Sequence, residues 1–301
     1  MRPFATLAAI FFLTVLGQAE VEEQQMAKRW PFTPVTAVKP PEVTNTNWVS
    51  NPIDAFILSK LKARGIEPAP LAKRRALVRR LYFDLLGVPP EPAVVDAFVN
   101  DRSPLAYERL VDQLLNDPRY GERWGRYWLD LARYADTAGY EGDPDTPHAW
   151  RYRDYVIDSF NADKPYDRFV QEQLAGDLLP AKTDEEWTEN LVATTFLAIG
   201  SKNVNEENGS QFAADVVDEQ IDATSQVFLG MSVSCARCHD HKFDAIPQTD
   251  YYALAGIFKN MKTYFGRPQS DYGEFISTVQ ERQLSTLLVM PVEDPNPFDM
   301  S

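Results

Sequence analysis

One pattern governs this chain: a residue that caps a helix, often a proline just behind it, then apolar side chains three and four positions apart. "NPIDAFILSKLKARG" shows it in full, with Asn51 as cap, Pro52 at the first helical position, apolar residues at 53, 56, 57 and 61, and Gly65 as the stop. The same grammar returns in "LAKRRALVRRLYFDLLG", where Leu71, Leu77, Val78, Leu81 and Leu85 share a face, and in "SPLAYERLVDQLLNDP", opened by Ser103 and Pro104. Further helices are predicted over Gly121–Ala135, Trp150–Asn161, Tyr166–Ala175, Glu186–Ile199, Gln211–Leu229 and Asp250–Lys259. Alternating apolar and polar runs of the kind a half-buried strand needs do not stand out. The expectation is an all-α fold, an irregular multi-helix domain of about nine helices spanning 45–265.

What precedes and follows that domain reads differently. "MRPFATLAAIFFLTVLGQAE" has one arginine, an apolar run from Phe4 to Leu16, and small residues suited to cleavage after Ala19, so residues 1–19 read as a signal peptide. The run falls short of the roughly 20 residues that a spanning helix requires. Residues 20–44 carry prolines at 31, 34, 40 and 41 and read as an extended linker. Residues 266–301 lose clear periodicity and read as a tail, or as the stump of a further C-terminal domain. The exported chain is expected to be secreted or periplasmic, with no membrane span.

At 301 residues and 44% hydrophobic content the chain has enough apolar surface for a sizeable core. Its formal charge of −14 argues against nucleic acid as a partner.

Both cysteines and two of the three histidines fall within "CARCHDH". A three-residue disulfide loop would add little stability, so a structural staple is a poor reading. Cys235, Cys238 and His239 match C-x-x-C-H, the pattern of covalent haem attachment. Two thiols at that spacing reach the two vinyl groups on one edge of the macrocycle, and the following histidine ligates iron from below. One haem c is therefore expected, with His239 proximal and the sixth position falling to His148, Met231 or Met261. The zinc alternative uses Cys235, Cys238 and His241, but lacks a second ligand pair; with haem bound, His241 stands behind His239 instead. A redox dithiol wants a strand before the motif, which this chain does not offer.

Two further constellations lie nearby in the fold class expected. Asp215, Asp218, Glu219 and Asp222 fall on one helical face, so like charges there need solvent, arginines or a cation such as calcium at Asp215, Asp218 and Asp222. The opposite face, Val217, Ile221, Thr224 and Phe228, is the core side. Trp128 reads as core or as haem lining, and Arg126 and Arg133 as partners for haem propionates or for the acidic helix.

Several long stretches also carry a likeness. "NPIDAFILSKL", "RRLYFDLLGVPP", "YGERWGRYWLDLARYADTAGYEGD", "WRYRDYVIDSFNADKPYDRFVQEQLAGDLLP" and "FLGMSVSCARCHDHKFDAIPQTDYYAL" closely resemble the N-terminal cytochrome-like domain, PSCyt type, of large secreted planctomycete proteins. The likeness covers about Trp30 to Lys262. It implies a domain of unknown function, named cytochrome-like for the segment Cys235 to Asp244, and a setting in exported electron-transfer or polymer-processing systems. It also implies a large C-terminal domain that this chain lacks, and asparagine where His148 stands. The expected function is an exported haem c protein in electron transfer or haem redox chemistry, serving a redox partner or an associated exported domain. The alternatives are a zinc-stabilised scaffold or interaction module and part of an extracellular polymer-processing enzyme.

Overall fold

The computed structural model describes residues 35–260, apart from 45, 46, 141, 142, 144, 147, 204 and 205. The predicted signal peptide, most of the linker, Met261 and the tail lie outside the described residues. By contacts the chain divides into residues 1–73 and residues 74–301.

In the first unit, residues 35–43 carry no helix, and α1 runs Pro52–Ala63. Its start is a closed capping box: Asn51 Oδ1 accepts the amides of Ile53 and Asp54, while Asp54 accepts the amide of Asn51. The buried side chains are Ala55 and Leu58, whereas Ile53 and Ile57 of the predicted face are exposed. With Phe56 and Leu61 also present, α1 is apolar around most of its girth, and spacing alone does not choose a face.

The second unit is helical throughout: α2 (Arg74–Leu85), α3 (Pro92–Asn100), α4 (Ala106–Leu115), α5 (Arg119–Leu131), α6 (Trp150–Asn161), α7 (Tyr166–Ala175), α8 (Asp184–Ala193), α9 (Gly209–Thr224) and α10 (Gln248–Lys259). That makes ten α-helices among the described residues, with no strand and one isolated bridge between Thr137 and Asp145. The sequence pattern missed α3, a nine-residue helix entered through Pro92 at the end of a proline cluster. Leu71, placed in a helix by spacing, precedes α2 and is exposed. Two long helices end early: α8 passes into a 3₁₀ turn over Thr194–Leu197, and α9 into a single π turn over Ser225–Leu229. None of the described helices is long and apolar enough to cross a membrane.

Two apolar clusters organise the second unit. One joins Val78, Tyr82 and Leu86 to Phe98, Leu110 and Leu114. The larger gathers Trp128, Tyr152, Phe169, Phe196 and Ile221 with Val233, Ala236 and Tyr251. Helices α5 and α6 meet backbone to backbone at Gly121, whose amide donates to Asn161 Oδ1 at 2.8 Å. Polar networks run through the larger cluster, although Gln173 Nε2 finds no hydrogen-bond partner among the described residues. Trp128 Nε1 donates to Tyr152 at 3.0 Å, and the Tyr152 hydroxyl donates to Gln173 Oε1 at 2.7 Å. The buried Glu172 accepts from Lys164, Arg168 and Tyr155, each at 2.6 Å.

Candidate functional site

The cysteine segment hangs between α9 and α10. The π turn ends at Gly230, whose φ of 64° suits glycine, and Met231 N–H then closes back on the Ser225 carbonyl at 3.1 Å. A 3₁₀ turn over Val233–Arg237 follows, and it buries Val233 and Ala236. With about three residues per turn, positions three apart share an edge. Burying Val233 and Ala236 therefore leaves Cys235 and Cys238 on the outer side, and both are free thiols and exposed.

The histidines have different roles, which their hydrogen bonds assign. His239 is exposed, and its Nδ1 lies 2.7 Å from the Asp240 carbonyl. A carbonyl only accepts, so Nδ1 carries the proton and Nε2 keeps a bare lone pair. In His241 the arrangement is reversed: Nδ1 accepts the amides of Phe243 at 3.2 Å and Asp244 at 2.8 Å. Its Nε2 then carries the proton and donates to Ser232 Oγ at 3.2 Å. Both ring nitrogens of His241 are thus spent on folding the loop, and its side chain is only 7% exposed.

The rest of the loop is fastened from α9 and α10. Ser234 donates to Asp222 at 2.6 Å, and Arg237 pairs with Asp218 at 3.0 Å and Asp215 at 3.5 Å. Tyr251 donates to Asp218 at 2.7 Å. Gln248 Nε2 and the Tyr252 hydroxyl both donate to the Arg237 carbonyl, and the Gln248 amide donates to Asp240. Burial, then the hydrogen bond to Asp218, pushes the Tyr251 hydroxyl well above the usual phenol range.

The acidic face of α9 is met by arginines from two directions. Arg237 covers Asp215 and Asp218, while Arg133 reaches Glu219 at 3.1 Å and Asp222 at 3.3 Å. Val217 and Ile221 are buried on the opposite face, as the pattern predicts. Arg133 occupies the position just after α5 with φ of 59°. Arg126 is exposed on α5, and Trp128 is enclosed by the rings of Phe169, Phe196 and Phe228. His148 lies on the turn before α6, and Met231 packs against the larger core. Among the described residues no three or more of His, Cys, Asp and Glu are gathered so as to hold a metal ion.

Sequence reasoning named the cysteines and histidines but not the residues that hold them, Ser232, Ser234, Arg237, Gln248, Tyr251 and Tyr252. Their signal is tertiary: most of their partners lie 9 to 33 positions away.

Comparison with curated proteins and with solved structures returned no match. The family model PSCyt2, protein of unknown function (DUF1549), matches residues 52–263 and so takes in every described helix and the whole cysteine turn. The chain belongs to the PSCyt2 family.

Proposed function

We propose that the turn from Cys235 to His239 is the attachment site of one haem c, and that the protein serves electron transfer or haem redox chemistry outside the cytoplasm. The observation that carries this reading is the pairing of two exposed thiols on one edge of a 3₁₀ turn with a histidine whose Nε2 is bare. The donor set fits the group. Cys235 and Cys238 would hold the group as thioethers, each by adding S–H across one vinyl double bond, sulfur to one carbon and the proton to the other, with no oxidant needed. His239 Nε2 would ligate the iron, and its Nδ1–H, held by the Asp240 carbonyl, favours the tautomer that ligation requires. When bound, the haem supplies a one-electron couple at iron.

The zinc alternative asks more of the fold. His241 would have to release two backbone amides to offer Nδ1, and Ser232 to offer Nε2. Haem asks nothing of His241, and its Nδ1 goes on shaping the loop that presents His239.

Peptide mapping tests the reading. The chain is exported from a host with haem-attachment machinery and digested, and the peptide spanning 235–239 is weighed. The expected product carries the mass of one haem; an unmodified peptide with two alkylatable thiols would contradict the proposal. Cys235→Ala with Cys238→Ala is the matched control.

A further inference from the structure

A cavity of about 410 Å³ opens beside α9, and Ser234 brings the cysteine turn to its wall. One side presents the carboxylates of Asp215, Asp218, Glu219 and Asp222. The other presents Arg133, Ser201, Lys202 and Asn203, with Tyr140, 63% exposed, at the opening. Neither Lys202 nor Tyr140 stands out in the sequence.

The charges of this cavity are nearly balanced. Arg133 spans Glu219 and Asp222, and Arg237 spans Asp215 and Asp218 from behind. Lys202 is buried, and its Nζ donates to the carbonyls of Ala198 and Gly200. Burial drives both inner groups toward neutrality: it pushes Lys202 down to about 8 and raises Glu219 above the usual carboxylate range, against the pull of Lys202 and Arg133. A strongly charged guest of either sign would have to break these pairs and leave a buried charge uncompensated. A neutral guest rich in hydroxyls would not, since each hydroxyl both donates and accepts, and the walls offer carboxylate, amide and hydroxyl groups side by side.

The frame around the cavity is specific. Gly200 lies so close to Glu219 that a Cβ there would come within 1.5 Å of its Oε1. Arg133, Tyr140 and Asp143 hold φ values of 59°, 58° and 30°, and the Lys202 amide fastens the segment by donating to the Ala138 carbonyl at 2.8 Å. Non-glycine residues at positive φ are strained, and such strain gathers at functional sites. Tyr140, held at positive φ, lines the cavity with most of its surface exposed.

We infer that this cavity binds a neutral polyhydroxylated ligand of one or two sugar rings, its hydroxyls taken by the α9 carboxylates and Asn203, its apolar ring face laid on Tyr140. The volume lies toward the small end of ligand pockets, roughly 300–1,000 Å³, which suits a short ligand or a chain end.

Ligand-observed NMR on the full chain tests this, with glucose, galactose, xylose, maltose and cellobiose as neutral probes, putrescine as the cation and galacturonate as the anion. The expected result is saturation transfer to at least one neutral probe and to neither charged one, with Kd raised tenfold or more by Tyr140→Asn. Asparagine tolerates positive φ, so that variant removes the ring while keeping the backbone. Asp215→Asn, on the rim, should weaken binding as well. The inference is overturned if no neutral probe binds at millimolar concentration, if putrescine or galacturonate binds in preference, or if both variants bind as the parent does with unchanged melting temperature.

Discussion

Ser234 Oγ donates a 2.6 Å hydrogen bond to Asp222, so the residue next to the first cysteine is held by the acidic face of α9. Twelve positions separate the two residues, and the same Asp222 takes an arginine, Arg133, that follows the C-terminal end of α5. The cysteine turn is thus fixed to the core through carboxylates that, read alone, looked like a repelling row.

His241 acts on the loop as asparagine does in an Asx turn, accepting the amides two and three positions ahead. His241→Ala should cost about 1–2 kcal/mol and expose the amides of Phe243 and Asp244 to rapid hydrogen exchange. His241→Asn keeps an acceptor at the same place and should restore most of the protection. Equal exchange in the two variants would remove His241 from the role of loop organiser.

Much of the fold was legible and much of the site was not, for different reasons. Capping is local, so Asn51 and Pro52 announced α1, and the spacing of Val217 and Ile221 announced the buried face of α9; Ser103 instead precedes the turn that leads into α4, whose N-cap is Leu105. Helix α3 escaped because it is only nine residues long and follows prolines at 89 and 90, although Pro92 stands at a helix start where it is welcome. The motif Cys235 to His239 was legible because C-x-x-C-H is a short, contiguous pattern. What orders it was not, since Arg237 meets Asp218 across 19 positions and Tyr251 meets it across 33. Lys202 gave no local sign that it would be buried.

Glu172 is a buried anion of the second unit, and burial alone would raise its pKa. Hydrogen bonds from Lys164, Tyr155 and Arg168 outweigh burial and hold it below the usual carboxylate range. A depressed pKa means stability that is present above about pH 4.5 and lost as pH falls through the folded value. Glu172→Gln strands two cations and should cost about 3–5 kcal/mol, measured by urea denaturation at pH 7, with a smaller loss of stability on acidification than the parent shows.

Alkaline pH should first stabilise and then destabilise the fold. The pKa of Lys202 falls from an ordinary 10.5 to about 8 on burial, so between those values the unfolded chain binds the extra proton and stability rises with pH. Burial pushes the tyrosines 134, 152, 155 and 251 the other way, so above about pH 10 the unfolded chain loses protons that the folded one keeps, and stability falls. Melting temperature against pH should show a maximum between about 9 and 10. In Lys202→Met the rise should flatten while the decline remains.

Two glycines one helical turn apart on α5 should answer differently to the same substitution. A Cβ on Gly121 would meet the Ile157 carbonyl at 2.4 Å and Asn161 at 2.6 Å, while one on Gly125 would meet Ile157 and Val156 at an ordinary 3.4 Å. Gly121→Ala should destabilise by about 1–3 kcal/mol as the helices are forced apart. Gly125→Ala should be neutral or stabilising by up to about 1 kcal/mol through helix propensity. Paired thermal melts check both.

The pyridine haemochrome spectrum of the purified, exported chain decides whether the turn from Cys235 to His239 carries haem. The spectrum should show one haem per chain that acid–organic extraction does not remove, lost in Cys235→Ala with Cys238→Ala, and in His239→Ala any attached haem should show an altered iron spectrum. A colourless protein from a host that matures other c-type cytochromes, with Cys235 and Cys238 both titrating as free thiols, would contradict it.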